Sequence, residues 1–315
     1  NSIDFVIGGS RTVNPDIDWY KKITEGTWWV EAKLSNGTVN YNLVKENPYE
    51  KEDKEAFSVY ALLQETGEMQ KDKNGVKNRY IYAGSNPNNY VTFNNELWRI
   101  VSIEPDRTVK IVKNDFLNSN FKISDSFSDM TSSSLITYLN KNDSKNIASA
   151  YLGSLNSEAQ SLIVSHAFNT GLYTLSGINT DTNPYTVEKN TSINIKVGLL
   201  NPSDYIQASS NEGCNIYTSY METSDPCLAS NYLFKNTRWW LMNPADLAIS
   251  VINSGDNTDL NNSCTSAVDS QKTVNQGLNS FPANCYAKVR PVVYLSKDTT
   301  ILKGTGKNTD PYVFG

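Results

Sequence analysis

Two adjacent tryptophans, Trp239 and Trp240, constrain the fold of this chain more than any other stretch of its sequence. Each indole ring buries a large apolar area and its N–H needs a hydrogen-bond partner, so the pair favours a packed sheet. Neighbouring side chains of a strand point to opposite faces. We therefore expect one tryptophan to enter the core and the other to face a second layer or a loop.

A second apolar run, residues 289–295, follows the tryptophan run 238–242 near the end of the chain. The stretch between them, 243–288, is polar and rich in asparagine. This pattern predicts two core strands of one sheet that support a long irregular loop region.

The composition narrows the possible partners. The chain of 315 residues has a net charge of -5 and no basic stripe, so nucleic acid is a poor partner. No stretch approaches the roughly 18 apolar residues of a membrane span, so we expect no membrane insertion of this chain. It opens at Asn1 without a methionine, which suggests a trimmed or mature ectodomain. Its 18 tyrosines, with many Asn and Ser, are typical of recognition surfaces, or simply of a polar secreted surface.

The four cysteines, Cys214, Cys227, Cys264 and Cys285, all lie in the last third of the chain. None forms a C-x-x-C pair of the kind that zinc sites use. Four cysteines allow three pairings, and we favour Cys214–Cys227 with Cys264–Cys285 because each closes one short loop. Such a loop stabilises by about 3 kcal/mol and implies an oxidising, extracellular setting. The alternative is four buried free thiols.

The sequence predicts two domains, a small α+β N-terminal region over 1–78 and a larger domain over 79–315. In the first, Asn36-Gly37 marks a hairpin turn between strands 27–34 and 38–44, and a helix follows over 51–65. The charged segment 68–78 is interpreted as a solvated linker.

The larger domain begins with short strands over 90–93, 97–103 and 109–112. Two amphipathic helices follow, one starting near Thr131 and one at Ser157, where Gln160 completes a capping box. We expect the C-terminal strand 312–314 to pair near 80–82.

Five ordered motifs in the larger domain resemble a known family. They are 82–91 leading into 95–100, then Gly198-Leu199-Leu200 with Ser203-Asp204-Tyr205, Trp239-Trp240-Leu241, 289–295, and Gly304-Thr305-Gly306 with Asp310-Pro311-Tyr312. Residues 79–315 are similar to uncharacterised Gram-positive cell-surface proteins with a C-type-lectin-like domain, in the branch that includes formylglycine-generating enzymes.

The resemblance implies an α+β, C-type-lectin-like fold with small mixed sheets, two flanking helices and a long loop region as the ligand face. This sequence has none of the Glu-Pro-Asn, Gln-Pro-Asp or Trp-Asn-Asp triplets of the calcium-dependent sugar-binding members. Its cysteines are interpreted as structural, so the formylglycine-generating activity is not carried over.

The predicted ligand face lies in loops 205–288. Its candidate residues are aromatics and amides that stack on or hydrogen-bond a glycan or protein: Tyr217, Tyr220, Asn253, Asn257 and Tyr286. One turn also offers hard oxygen ligands suited to Ca²⁺, namely Asp256, Asn257, Asp259 and Asn261. It lacks the glycine and distal glutamate of an EF-hand loop, so we interpret it as a solvated polar turn with a Ca²⁺ site as the alternative, and we expect no cofactor.

We expect an extracellular, surface- or pilus-associated protein of a Gram-positive bacterium that binds a glycan or host protein through these loops. The alternative is a structural subunit or spacer of a surface appendage. We expect no enzymatic activity, because no nucleophile motif accompanies His166, the one histidine of the chain. An enzyme would require His166 in an open cleft beside a carboxylate or nucleophile; otherwise a packed histidine is the interpretation.

Overall fold

The structure is a computed structural model with two compact units, Asn1–Ala56 and Phe57–Gly315. This division falls earlier in the chain than the predicted boundary near residue 78. The structure describes residues 29–35, 38–44, 59, 68–123, 130–145, 150–173, 183–214, 225–235, 237–245, 270–274, 278–282 and 285–315.

The described part of the first unit is an antiparallel hairpin of β1 (Trp29–Ser35) and β2 (Thr38–Val44). Ser35 pairs with Thr38 at its closed end, which confirms the predicted hairpin. The expected helix over 51–65 lies outside the described residues except for Val59, which is helical and buried.

The described part of the second unit is a mixed α+β structure with many strands and few, short helices. Its strands are β3 (Gln70–Lys71), β4 (Tyr80–Ile81), β5 (Tyr90–Phe93), β6 (Glu96–Ile103), β7 (Val109–Lys113), β8 (Ile163–Val164), β9 (His166–Asn169), β10 (Ser192–Ile195), β11 (Val197–Gly198), β12 (Trp239–Ala245), β13 (Ser270–Val274), β14 (Leu278–Pro282), β15 (Val292–Leu295), β16 (Ile301–Lys303) and β17 (Tyr312–Phe314). Its helices are α1 (Ser134–Asn140), α2 (Tyr151–Ser154), α3 (Ser157–Leu162), α4 (Pro184–Glu188), α5 (Pro202–Gln207) and α6 (Asp225–Ala229). None of the helices in the described ranges is long and apolar enough to cross a membrane.

The main sheet has the strand order β11-β15-β7-β6-β5-β17-β16, with β4 also on β6 and β8 also on β15. Every residue of β7 and β15 is buried, as expected for central strands covered on both faces.

The predicted strands over 90–93, 97–103 and 109–112 are confirmed as β5, β6 and β7. The C-terminal strand β17 runs parallel to β5, whereas β4 pairs with β3 and β6, so the predicted pairing near 80–82 is wrong. The backbone amide of Tyr90 donates to the Gly306 carbonyl at 2.8 Å, and this contact holds the turn before β17 against β5.

The tryptophan strand belongs to a different sheet from the one predicted. β12 pairs with β13, and β13 with β14, while β15 lies in the main sheet. Trp239 and Trp240 are both fully buried. The backbone of Trp240 donates to the Lys288 carbonyl at 3.0 Å, which ties the two segments together without making them one sheet. The excursion after β12 is also more regular than predicted, since β13 and β14 lie within it.

One of the two predicted helices is confirmed and the other is much shorter. The first is α1, capped by the Ser133 hydroxyl, with its predicted apolar residues buried. The second, α3, ends at Leu162 because Ile163 and Val164 pair with β15 instead. Its N-cap is Asn156, whose side chain accepts from the Ala159 amide, so the predicted capping box at Ser157 is wrong. His166 therefore lies on strand β9 and not beside a helix.

The structure contains the disulfide Cys214–Cys227, with Cα atoms 5.6 Å apart, as predicted. Cys285 is also disulfide-bonded, and its predicted partner Cys264 lies outside the described residues. No cysteine of the described ranges is free. Disulfides are typical of proteins that leave the reducing cytosol.

Candidate functional site

A polar cleft of about 310 Å³ opens at one end of the main sheet of the second unit. The turn between β6 and β7, the start of β9, and helices α4 and α5 contribute to its walls. Its lining residues are Val76, Arg79, Glu104, Pro105, Asp106, Lys110, His166, Ala167, Asn169, Tyr185, Asn201, Ser203, Asp204 and Tyr294. Concave sites with convergent polar groups are where small ligands are most often bound.

Arg79 forms the centre of the cleft floor. Its guanidinium contacts three carboxylates: Asp72 at 3.0 Å, Glu104 at 3.0 Å and Asp204 at 2.7 Å. Burial alone would lower the pKa of Arg79, but these carboxylates raise it. The charges therefore persist in the interior. The same contacts explain why segment 68–78 is not the solvated linker that its composition suggests, since Asp72 is drawn inside.

Lys110 extends from β7 into the same network. Its ammonium contacts the second oxygen of Asp204 at 2.5 Å, so one carboxylate is shared by two cations. Burial favours the neutral acid, yet Lys110 and Arg79 lower the pKa of Asp204 to about 2. The pKa of Lys110 is raised, because Asp204 outweighs the effect of burial. Removal of either partner would leave a buried charge without its counterpart, which is strongly destabilising.

His166 and Asp106 form the mouth of the cleft. Nε2 of His166 lies 3.3 Å from a carboxylate oxygen of Asp106, and its Nδ1 lies 3.1 Å from the carbonyl of Ala167. The imidazole stacks on the ring of Tyr294 with centroids 3.8 Å apart. The side chain of Asp106 is 57% exposed. Burial raises the pKa of Asp106, but hydrogen bonds from Thr108 and the nearby His166 lower it overall.

His166 thus meets the condition that the sequence set for an enzyme, an imidazole that lines an open cleft beside a carboxylate, and its side chain is 20% exposed. Ser203 is the one serine, threonine or cysteine among the described lining residues, and its hydroxyl donates to Glu188 and not to His166. The described part of the cleft therefore holds no nucleophile paired with its histidine.

Most of the sequence-predicted site residues fall outside the described ranges. These are Tyr217, Tyr220, Asn253, Asn257, Asp256, Asp259 and Asn261, so neither the loop face nor the calcium turn is described. Tyr286 is described: its ring is 36% exposed, and the Lys122 ammonium lies 5.1 Å from the ring centroid. Tyr286 does not line the polar cleft. Within the described ranges, no group of three or more His, Cys, Asp or Glu side chains is placed to hold a metal ion.

Sequence reasoning missed the charged residues of the cleft. Lys110 offered a signal, because it is a cation between Val109 and Ile111 in the predicted strand 109–112, whose other residues are apolar. A charged residue at such a position needs a buried partner. Its partner Asp204 belongs to the motif Ser203-Asp204-Tyr205, 94 residues further along the chain. Nothing local to either residue indicates the contact between them.

No protein-family model, curated protein or solved structure matches this chain.

Proposed function

We propose that this chain is an extracellular ligand-binding protein, adhesin-like, from the surface or pili of a Gram-positive bacterium, and that it recognises a glycan or a host protein. Its larger unit is a C-type-lectin-like domain in this proposal. The protein binds its ligand without transforming it.

The observation that carries this proposal is the polar cleft. Its charged floor is built from Lys110 on β7, Asp204 on α5 and Arg79 just before β4, which contact one another through Asp204. A buried, mutually paired network gives a cleft of defined shape before any ligand arrives, and such preorganisation lowers the entropic cost of binding. At the mouth of the cleft, Asp106 lies in the turn between β6 and β7, and His166 lies at the start of β9.

The loops over 205–288 form the second surface of the same function. Their described parts are anchored to the core of the second unit, by the disulfide Cys214–Cys227 and by β12, whose Trp239 and Trp240 are fully buried. A loop face supported in this way is free to vary while its base stays fixed.

A glycan and host-protein array, probed with the intact chain in calcium and again in chelator, tests the proposal. We expect calcium-independent binding that is weakened by Asp106→Asn in the cleft or by Tyr217→Ala in the loops. Asp143→Asn is the matched control, because Asp143 is an exposed carboxylate outside the cleft. Binding that requires calcium would instead indicate the turn at Asp256. Silence under both conditions would refute the proposal and leave the structural subunit.

A further inference from the structure

The geometry points to a primary ammonium group, the side chain of a lysine on a protein partner, as the ligand of the polar cleft. This inference rests on the proposed function and gives its cleft a ligand class. Three observations carry it: the charges that remain accessible in the cleft, the hydroxyl of Tyr294, and the apolar residues of the lining.

The accessible charge of the cleft is negative. Three carboxylates line it, Glu104, Asp106 and Asp204, against the two cations Arg79 and Lys110. Both cations are almost fully buried and bound to Asp204, so neither is free to hold an incoming anion. Asp106 is exposed at the mouth, and Glu104 keeps oxygen lone pairs beyond its contact with Arg79. An incoming cation therefore meets acceptors, while an anion would meet repulsion.

The hydroxyl of Tyr294 supplies the second observation. Tyr294 is 4% exposed and lines the cleft, and in the described part of the chain its hydroxyl takes part in no hydrogen bond. Burial raises its pKa, so it stays a neutral phenol, and it lies near the charges of Lys110, Glu104 and Asp204. Its oxygen is accessible from the cleft, where the N–H of a ligand can donate to it.

The arrangement of acceptors favours lysine over arginine. Both oxygens of Asp106 and of Glu104 are already contacted by protein groups, so neither carboxylate offers the free planar pair that a guanidinium fork prefers. Their remaining lone pairs and the Tyr294 oxygen suit the separate N–H groups of an ammonium. Val76 and Pro105 give the lining apolar surface suited to the methylene stem of a lysine. A hexosamine offers the same ammonium but would place hydroxyls against those apolar groups.

The imidazole of His166 gives a direct readout, because the chain has one histidine and that histidine lines the cleft. Proton NMR of the intact chain, at constant pH and low salt, is titrated with Nα-acetyl-lysine N-methylamide. We expect a saturable shift of the His166 ring signals, with a Kd of about millimolar for so small a probe. The Nε-acetylated form of the same probe, which is neutral, should leave them unmoved.

Two cleft variants and one control complete the test. Asp106→Asn should weaken binding about tenfold or more, and Tyr294→Phe, which keeps the ring stacked on His166, about threefold or more. Asp143→Asn removes the same charge outside the cleft and should bind as the wild type does. Equal shifts with the neutral probe, or unchanged affinity in both cleft variants, would overturn the inference. A shift with glucosamine but not with the lysine probe would overturn it too, in favour of an amino sugar.

The array separates this inference from the proposed function. If the chain captures array proteins and acetylation of their lysines leaves capture unchanged, the ligand class is wrong and the binding function stands. If the array is silent while the lysine probe shifts His166, the ligand class stands and the adhesin function is wrong.

Discussion

Glu188 makes the stability of the second unit depend on pH near neutrality. This carboxyl at the end of α4 is 0% exposed and accepts hydrogen bonds from the Tyr173 hydroxyl and the Ser203 amide, each at 2.7 Å, and from the Ser203 hydroxyl. Burial raises its pKa to about 7, because its hydrogen bonds only partly offset the desolvation and Asp204 adds repulsion. No cation contacts it among the described residues, so the charged form gains no ion pair.

The direction of the effect follows from proton linkage. The folded state holds a proton on Glu188 up to a pKa of about 7, whereas the unfolded chain releases it near 4.5. Between these values the folded state binds more protons, so stability falls as pH rises, and it levels off above pH 7. The difference in pKa corresponds to about 3 kcal/mol, of which about 2 kcal/mol falls between pH 5.5 and 8.

Glu188→Gln removes this dependence and keeps the contacts. The amide oxygen still accepts from Tyr173 and from the Ser203 backbone, and the amide NH₂ donates to the Ser203 hydroxyl. Relative to the wild type, the variant should gain about 2 kcal/mol in the free energy of unfolding as pH rises from 5.5 to 8. Urea unfolding at four pH values, with disulfides intact, measures it. Parallel curves for the two proteins would refute the reasoning, and Asp143→Asn should run parallel to the wild type.

Three further substitutions test the packing of the second unit by thermal or urea unfolding. Lys110→Met should cost about 3 kcal/mol or more, because it leaves Asp204 buried with one cation where it had two; a loss under 1 kcal/mol would contradict the network. Cys214→Ser should cost about 3 kcal/mol by opening a loop of 13 residues, and an unchanged Tm would contradict the disulfide. Gly171→Ala should destabilise by about 1–3 kcal/mol or more, since its Cβ would lie 1.9 Å from the Val187 carbonyl, and a neutral result would contradict that close approach.

Local patterns predicted the elements whose partners are close in sequence. The β1–β2 hairpin, the run of β5, β6 and β7, and α1 all follow from alternation, turn residues and one cap, because their contacts lie within a few tens of residues. The helix at Ser157 was predicted too long for the same reason. Its apolar residues fit a helical period, but Ile163 and Val164 pair with Tyr294 and Leu295, and that pairing overrides the local pattern.

The packing of Trp239 and Trp240 was predicted, but the sheet to which their strand belongs was not. Hydrophobicity predicts that a strand is buried and does not specify which sheet it joins. Trp240 satisfies its indole N–H with the carbonyl of Phe121 at 2.7 Å, a residue distant in the chain. That partner and the pairing of β12 with β13 place the strand in the smaller sheet.

The contacts of Asp204 that build the floor of the polar cleft could not be predicted from the sequence, because they span much of the chain. Lys110 and Asp204 are 94 residues apart, and Arg79 and Asp204 are 125 apart. The position of Lys110 between Val109 and Ile111 indicates a buried charge, but only the fold supplies the partner that offsets the cost of its burial. Replacing a whole buried ion-pair network by apolar side chains of similar volume is often neutral or stabilising, so this network is not retained for stability alone. Its effect on the second unit is to hold Arg79, Lys110 and Asp204 in one arrangement beneath the cleft.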